Sequence, residues 1–141
     1  MKNFPEKARL VMNERFGHDS LISLATAENN IPSVRTVNAL YQDGCFYVIT
    51  YALSNKMQQI AKNPQVAVSG DWFTGRGVGE NLGYVLAPEN AALAAKLQEA
   101  FASWLDNGHT NLQDPNTCIL CIRLESGVLF ANGQRFDIRF V

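Results

Sequence analysis

The segment TYALSNKMQQIAKNP, residues 50–64, puts a threonine, a serine and a lysine at the mouth of a short predicted helix. With Ser54 as N-cap, its hydroxyl can satisfy one of the amides that a helix start leaves unpaired. Lys56 then falls in the first turn, where a cation opposes the helix dipole. That local cost disappears when an anion binds at the same end. Arg35 sits mid-way along a strand predicted to pair with the one leading into this helix, and its guanidinium can complete the clamp with two parallel hydrogen bonds. Free amides, a hydroxyl and two cations describe a receptor for phosphate or carboxylate. The same spacing also suits an exposed lysine and a strand-face arginine with no ligand at all.

Other candidates for chemistry fall away on spacing. FTGRGVGENLG, residues 73–83, is dense in glycine, but a dinucleotide-binding G-x-G-x-x-G would put Glu80 at its third glycine, a carboxylate facing a pyrophosphate. No Gly-Lys-Ser/Thr follows, so it is not a P-loop either, and the stretch reads as a bend or tight crossing between two strands. Cys118 and Cys121 form a C-x-x-C inside TCILCIRL, an alternating apolar run. On a strand, positions three apart face opposite sides, so these thiols read as packing and not as a shared metal site. His18 and His109 have no partner at ligand spacing, and no metal is expected. No G-x-S-x-G elbow supports a serine hydrolase.

The elements that must position the clamp follow from periodicity and turn residues. A helix is predicted over residues 5–16, ended by Gly17. A strand over 21–27 leads through NNIPS to VRTVNALY, then across Asp43-Gly44 to CFYVITY, the pattern of β-hairpins. The short helix over 54–62 closes at Asn63-Pro64, since a residue before proline leaves the helical region. QVAVSGDWF reads as one strand. Pro88 opens the longest helix, AALAAKLQEAFASWL, in which Trp104 reads as core. TCILCIRLE, GVLFA and QRFDIRF read as three short strands. Strands joined by hairpin turns, without regular β-α alternation, predict a mainly β chain: an antiparallel barrel with appended helices.

Composition sets the outer limits. At 141 residues and 47% hydrophobic, the chain suits one domain over 1–141. Twelve basic against thirteen acidic residues, a formal charge of -1, give no field for holding nucleic acid. The charged, proline-broken N-terminus and the absence of a long apolar run predict a cytoplasmic, soluble protein with no membrane partner. Three cysteines, an odd number, argue against a disulfide framework.

The ordered set P-x-x-R-T-V, D-G-x-F-Y, T-x-x-x-S-x-K, N-P and then Trp72 resembles the FMN-binding split-barrel proteins related to pyridoxamine 5'-phosphate oxidase. The match runs from about Pro32 to Trp72. The resemblance implies a six-stranded antiparallel split barrel with flanking helices, forming a homodimer with FMN in clefts between the subunits. It implies that Arg35 and Lys56 contact the FMN phosphate beside Ser54, and that Thr36, Val37, Ile49 and Thr50 line the flavin. Trp72 would lie near the cleft, from the same or the partner subunit.

Two departures stand out. Where the oxidases often place a phosphate-binding arginine just before the lysine, this chain has Asn55, which reshapes the clamp. The chain also ends at RFDIRFV without an Arg-x-His substrate motif, unlike true pyridoxamine 5'-phosphate oxidases, and looks closer to the general-stress-protein branch. The expected function is an oxidoreductase passing electrons through FMN to a small molecule. Its donor could be NAD(P)H, which no motif identifies, and no catalytic residue can be named. A flavin-storage module without turnover shares every binding residue, and related split barrels bind deazaflavin or haem.

Overall fold

Inward apolar and outward polar residues alternate along most of this chain, and alternation of that period builds sheet. The computed structural model describes residues 1–141 and is mainly β. Its strands are β1 (Ser20–Glu28), β2 (Ile31–Gln42), β3 (Cys45–Tyr51), β4 (Gln65–Gly70), β5 (Phe73–Tyr84), β6 (Thr117–Ala131) and β7 (Gln134–Arg139). They form one antiparallel sheet in the order β3-β2-β1-β4-β5-β6-β7, and β3 also pairs with β6. That extra pairing closes β1 to β6 into a six-stranded barrel, with β7 attached to the far side of β6.

Helices plug and cover the barrel. α1 (Glu6–Phe16) buries Ala8, Met12 and Phe16. Phe16 meets Phe46 and Phe73 edge-on at 5.4 and 5.9 Å between ring centres. α2 (Asn55–Lys62) contributes Met57 and Ile60 to the same core. α3 (Ala91–Ala100) and α4 (Ala102–Leu105) instead lay Ala94, Leu97, Phe101 and Leu105 against Leu40, Ile49 and Ile119, forming a second, smaller cluster. The single long helix expected from sequence is thus two, broken at Phe101.

Four hairpins turn through two residues with positive φ, the pairing that matches the twist of antiparallel strands. They are Asn29-Asn30, Asp43-Gly44, Asp71-Trp72 and Asn132-Gly133. Three carry residues that tolerate this conformation. The turn at Trp72, φ 60°, does not, and it divides the expected strand QVAVSGDWF into β4 and the start of β5.

The glycine stretch is a strand, not a bend. In β5, Gly75, Gly77 and Gly79 are buried while Thr74, Arg76 and Glu80 between and beside them are exposed. Larger neighbours fill the space that inward side chains would take: a Cβ on Gly75 would lie 2.8 Å from the Phe73 ring, and one on Gly79 would lie 3.0 Å from Ile60. At Gly77 the obstacle is backbone, since a Cβ would come within 2.1 Å of the Arg123 carbonyl oxygen. The C-terminal part also differs from expectation: TCILCIRLE and GVLFA are one strand. Pairing passes from Gly77↔Leu124 to Arg76↔Ser126, so Glu125 is an extra residue, a β-bulge. The bulge keeps Leu120, Ile122 and Leu124 inward before it and Leu129 and Ala131 inward after it.

Candidate functional site

Arg35 lies opposite Leu24, a fully buried residue of β1, so it occupies an inward position of β2. Its Nη1 donates to Thr26 Oγ1 at 2.8 Å and to the Leu24 carbonyl at 3.2 Å, and its Nη2 reaches Gln59 Oε1 at 3.5 Å. Thr26 also donates to Gln59 Oε1. Every acceptor around this guanidinium is neutral. No carboxylate lies within ion-pair distance, since the four salt bridges of the chain involve other cations. Burial holds its pKa below the usual arginine value.

Lys56 stands in the first turn of α2, half-buried, and donates to Ser54 Oγ at 3.5 Å. Its pKa is lowered, first by burial and then by the charge of Arg35. The second cause means that the two cations lie close enough to repel each other. Like charges held together without a counter-ion oppose each other, and an anion placed between them would reverse that cost. Ser54 is the N-cap residue, but its hydroxyl makes no capping bond. It faces Lys56 instead, so the first-turn amides of α2 keep their donors free of side-chain partners.

The remaining sequence-derived residues divide by strand face. Thr50 is half-buried and pairs with Cys118, whose thiol feels the Lys56 charge, so Thr50 borders the clamp. Burial nevertheless pushes that thiol up. Val37 shares the inward side with Arg35 and packs on the main core. Thr36 is exposed on the opposite face, beside Ser23. Ile49 also points away, into the cluster under α3. Asn55 is exposed.

Trp72 stands apart. It is 74% exposed and edge-on to Phe130, near the end of β6, whereas the clamp neighbours Cys118, near its start. Arg15 of α1 fixes this turn by donating to the carbonyls of Asp71 at 3.1 Å and Phe130 at 2.8 Å. Within one chain Trp72 does not join the clamp.

Thr26 and Gln59, which position Arg35, were not found by sequence reasoning. The signal was present: Thr26 interrupts the inward series Ile22, Leu24, and Gln59 lies one turn after Lys56, on the same side of α2.

Comparisons with known proteins agree with this architecture. A family model described as pyridoxamine 5'-phosphate oxidase matches residues 11–129. Among curated proteins, none matches the sequence. Solved structures share the fold at low identity. General Stress Protein 26 from Bacillus anthracis str. Sterne aligns with a TM-score of 0.67 and 18% identity, over 90% of this chain and 95% of its own. A FAD-binding protein from Mesorhizobium loti gives 0.61 and 17%, over 84% and 90%. A haem-binding protein from Mycobacterium smegmatis gives 0.66 and 15%, over 88% of this chain and 54% of its own.

Proposed function

The chain belongs to the pyridoxamine 5'-phosphate oxidase family, and from that premise we propose that it is an FMN-binding flavoprotein, an oxidoreductase acting on a small molecule. The observation that carries the proposal is the pair of half-buried cations, Arg35 and Lys56, close enough for the charge of one to lower the pKa of the other and neither in a salt bridge. A terminal phosphate dianion matches this pair in charge and in the number of donors offered to it. Arg35, kept in place by Thr26 and Gln59, would take two phosphate oxygens; Lys56, Ser54 and the first amides of α2 would take the rest. Thr50 and Val37 would line the approach of the ring, with backbone groups of Thr36 and Ile49 beside them.

Bound FMN supplies hydride and single-electron transfer at its ring system, while the protein binds and orients it. The partial burial of Arg35 and Lys56 lowers the local dielectric and would strengthen each charge-assisted bond there. FMN is favoured over haem because His18 lies in the α1–β1 connection and His109 in the loop after α4, neither on an element that forms the clamp. We further propose a homodimer in which Trp72 projects toward the partner's cleft, since its own chain gives it no place at the clamp. Three unpaired cysteines suit a cytoplasmic setting.

The test is the visible spectrum of the purified protein, with mass spectrometry of the small molecule released on denaturation, followed by titration with FMN. Flavin absorbance and release of FMN support the reading. Oxidation of NADH or NADPH with added acceptors then separates an enzyme from a storage module, which would show no turnover with any acceptor.

A further inference from the structure

The two cysteines of the C-x-x-C in β6 do not meet. Cys118 turns into the core with Leu120, while Cys121 alternates to the outward face with Ile119. The thiol that meets Cys121 comes from β3. Tyr47 lies opposite Cys121 and Cys45 lies opposite Arg123, so Cys45 and Cys121 are diagonal neighbours on one face of the β3–β6 seam. Both are buried, 7% and 2% exposed, and both are free thiols. Packing accounts for the inward Cys118. It gives no reason for two outward thiols, remote in sequence, to be set side by side.

Their surroundings divide the two thiols by role. Cys45 loses its proton more readily than an ordinary cysteine, first because the Cys121 thiol hydrogen-bonds to it, then through Tyr47 and the charge of Arg123. Burial and the charge of Asp43 oppose this without cancelling it. Cys121 is shifted the other way, its proton kept by the bond to Cys45 and by burial. Glu80, opposite Cys121 on β5, accepts from Arg123 at 2.9 Å and holds the guanidinium at this face. A thiolate near a cation is the nucleophilic form of cysteine, and a protonated thiol in contact with it is placed to react next.

Diagonal neighbours have Cα atoms about 7–8 Å apart, slightly more than the span of about 4.4–6.8 Å that a disulfide usually bridges. The strands must therefore draw together by about an ångström to be linked. Cys45 sits where β3 can yield, at its first residue beside the Asp43-Gly44 turn. A link formed under strain is easily reduced again, which suits a reversible device.

We propose that Cys45 and Cys121 form a redox-responsive pair, which a hydroperoxide converts into a disulfide across the seam that closes the barrel. The Cys45 thiolate attacks the hydroperoxide: an S–O bond forms as the O–O bond breaks, leaving a sulfenic acid and releasing hydroxide or the corresponding alcohol. The Cys121 sulfur then attacks the Cys45 sulfur. An S–S bond forms, the S–O bond breaks, and the Cys121 proton leaves with the oxygen as water. Two electrons pass from the sulfurs to the hydroperoxide, and a dithiol reductant restores both thiols. The pair lies at the margin of α3, where Lys96 donates to Gln42, the residue opposite Cys45. It is on the face of β6 away from Cys118, whose thiol feels the Lys56 charge, and the inference does not rest on the flavin reading.

The test treats reduced protein with hydrogen peroxide at neutral pH and reads intact mass and non-reducing peptide maps. Wild type is expected to lose about 2 Da, the two thiol hydrogens, to yield one peptide pair linked through Cys45 and Cys121, and to recover its mass with dithiothreitol. Cys118→Ala should form the link as wild type does, whereas Cys45→Ala and Cys121→Ala should not. In Cys121→Ala a sulfenic acid should persist on Cys45 and be trapped by dimedone, a signal that a packing role would not produce. Unchanged wild-type mass at peroxide levels that oxidise a denatured control would overturn the proposal. So would a link through Cys118, a link between two chains, or a dimedone adduct that falls on Cys121 and not on Cys45. The wild-type maps decide the link independently of how well any variant folds.

Discussion

Lys56 and Arg35 both sit where water is restricted, and neither meets a carboxylate. Such a pair costs the ligand-free fold something and is repaid on binding, so the two effects of a substitution should have opposite signs. Lys56→Met, which keeps the apolar stem and removes the charge, is expected to weaken FMN binding by about 1–2 kcal/mol, the order of a charge-assisted hydrogen bond. The same variant should leave the ligand-free protein as stable as wild type or slightly more so, measured by denaturant unfolding. Loss of stability together with unchanged affinity would remove Lys56 from the clamp.

The pH dependence follows from the same residue. Its folded pKa lies below the usual lysine value, so across the window from that lowered value up to the unfolded one the unfolded chain holds more protons. Stability of the ligand-free protein therefore rises with pH through that window. Affinity for a phosphate ligand moves the other way: it is highest while Lys56 is protonated and falls as pH climbs through the lowered pKa. FMN titrations across alkaline pH should show this fall in wild type and a smaller one in Lys56→Met.

At the scale of elements, β5 links the core to the clamp. Gly79 lies under Ile60, the residue of α2 that anchors the helix carrying Lys56. Gly79→Ala has to push a side chain 3.0 Å away, a tight but yielding contact, and should displace α2 enough to lower FMN affinity at modest cost in stability. Gly77→Ala meets backbone at 2.1 Å and should destabilise by about 2–3 kcal/mol, as overpacking does. Equal unfolding midpoints for the two variants would contradict this ordering. Trp72→Gly relieves a positive φ at an exposed position and should raise stability by about 1 kcal/mol.

These elements also show what sequence could reveal. Hairpins at Asn29-Asn30, Asp43-Gly44 and Asn132-Gly133 carry residues suited to left-handed backbone, and their positions were legible. The turn at Asp71-Trp72 was not, because tryptophan gives no turn signal. The β5 glycines looked like a loop because the side chains that fill their space, Phe73 and Ile60, come from elsewhere in the fold. In β6 the phase of apolar residues shifts by one at Glu125, which a strict period of two reads as a break. Arg35, Ser54, Thr50 and Lys56 stand out in the sequence as an ordered motif, and the fold brings Lys56 to Ser54 and within reach of the Arg35 charge. Thr26 and Gln59 do not stand out, since their role depends on β1 and α2 meeting over Arg35.

At the scale of the molecule, closure of β3 onto β6 brings the elements of the clamp together: β2 supplies Arg35, β3 leads into α2, and Cys118 of β6 lies within reach of the Lys56 charge. No helix is long and apolar enough to cross a membrane. The Trp72 turn and the clamp lie toward opposite ends of β6, so a homodimer is what would let both serve one cleft. Mixing Lys56→Ala with Trp72→Ala subunits tests this. If Trp72 acts across the interface, half the clefts of each heterodimer regain both native residues and FMN binding partly recovers; if it acts within its own chain, mixing restores nothing.

The central claim is that the Arg35 and Lys56 cations exist to hold the phosphate of FMN. Titrating ligand-free protein with FMN and, in parallel, with riboflavin tests it most directly, because the two differ only in that phosphate. The account predicts saturable FMN binding that exceeds riboflavin binding by at least tenfold, with most of that preference gone in Lys56→Met. Equal affinity for the two flavins, or failure to take up FMN at all, would contradict it.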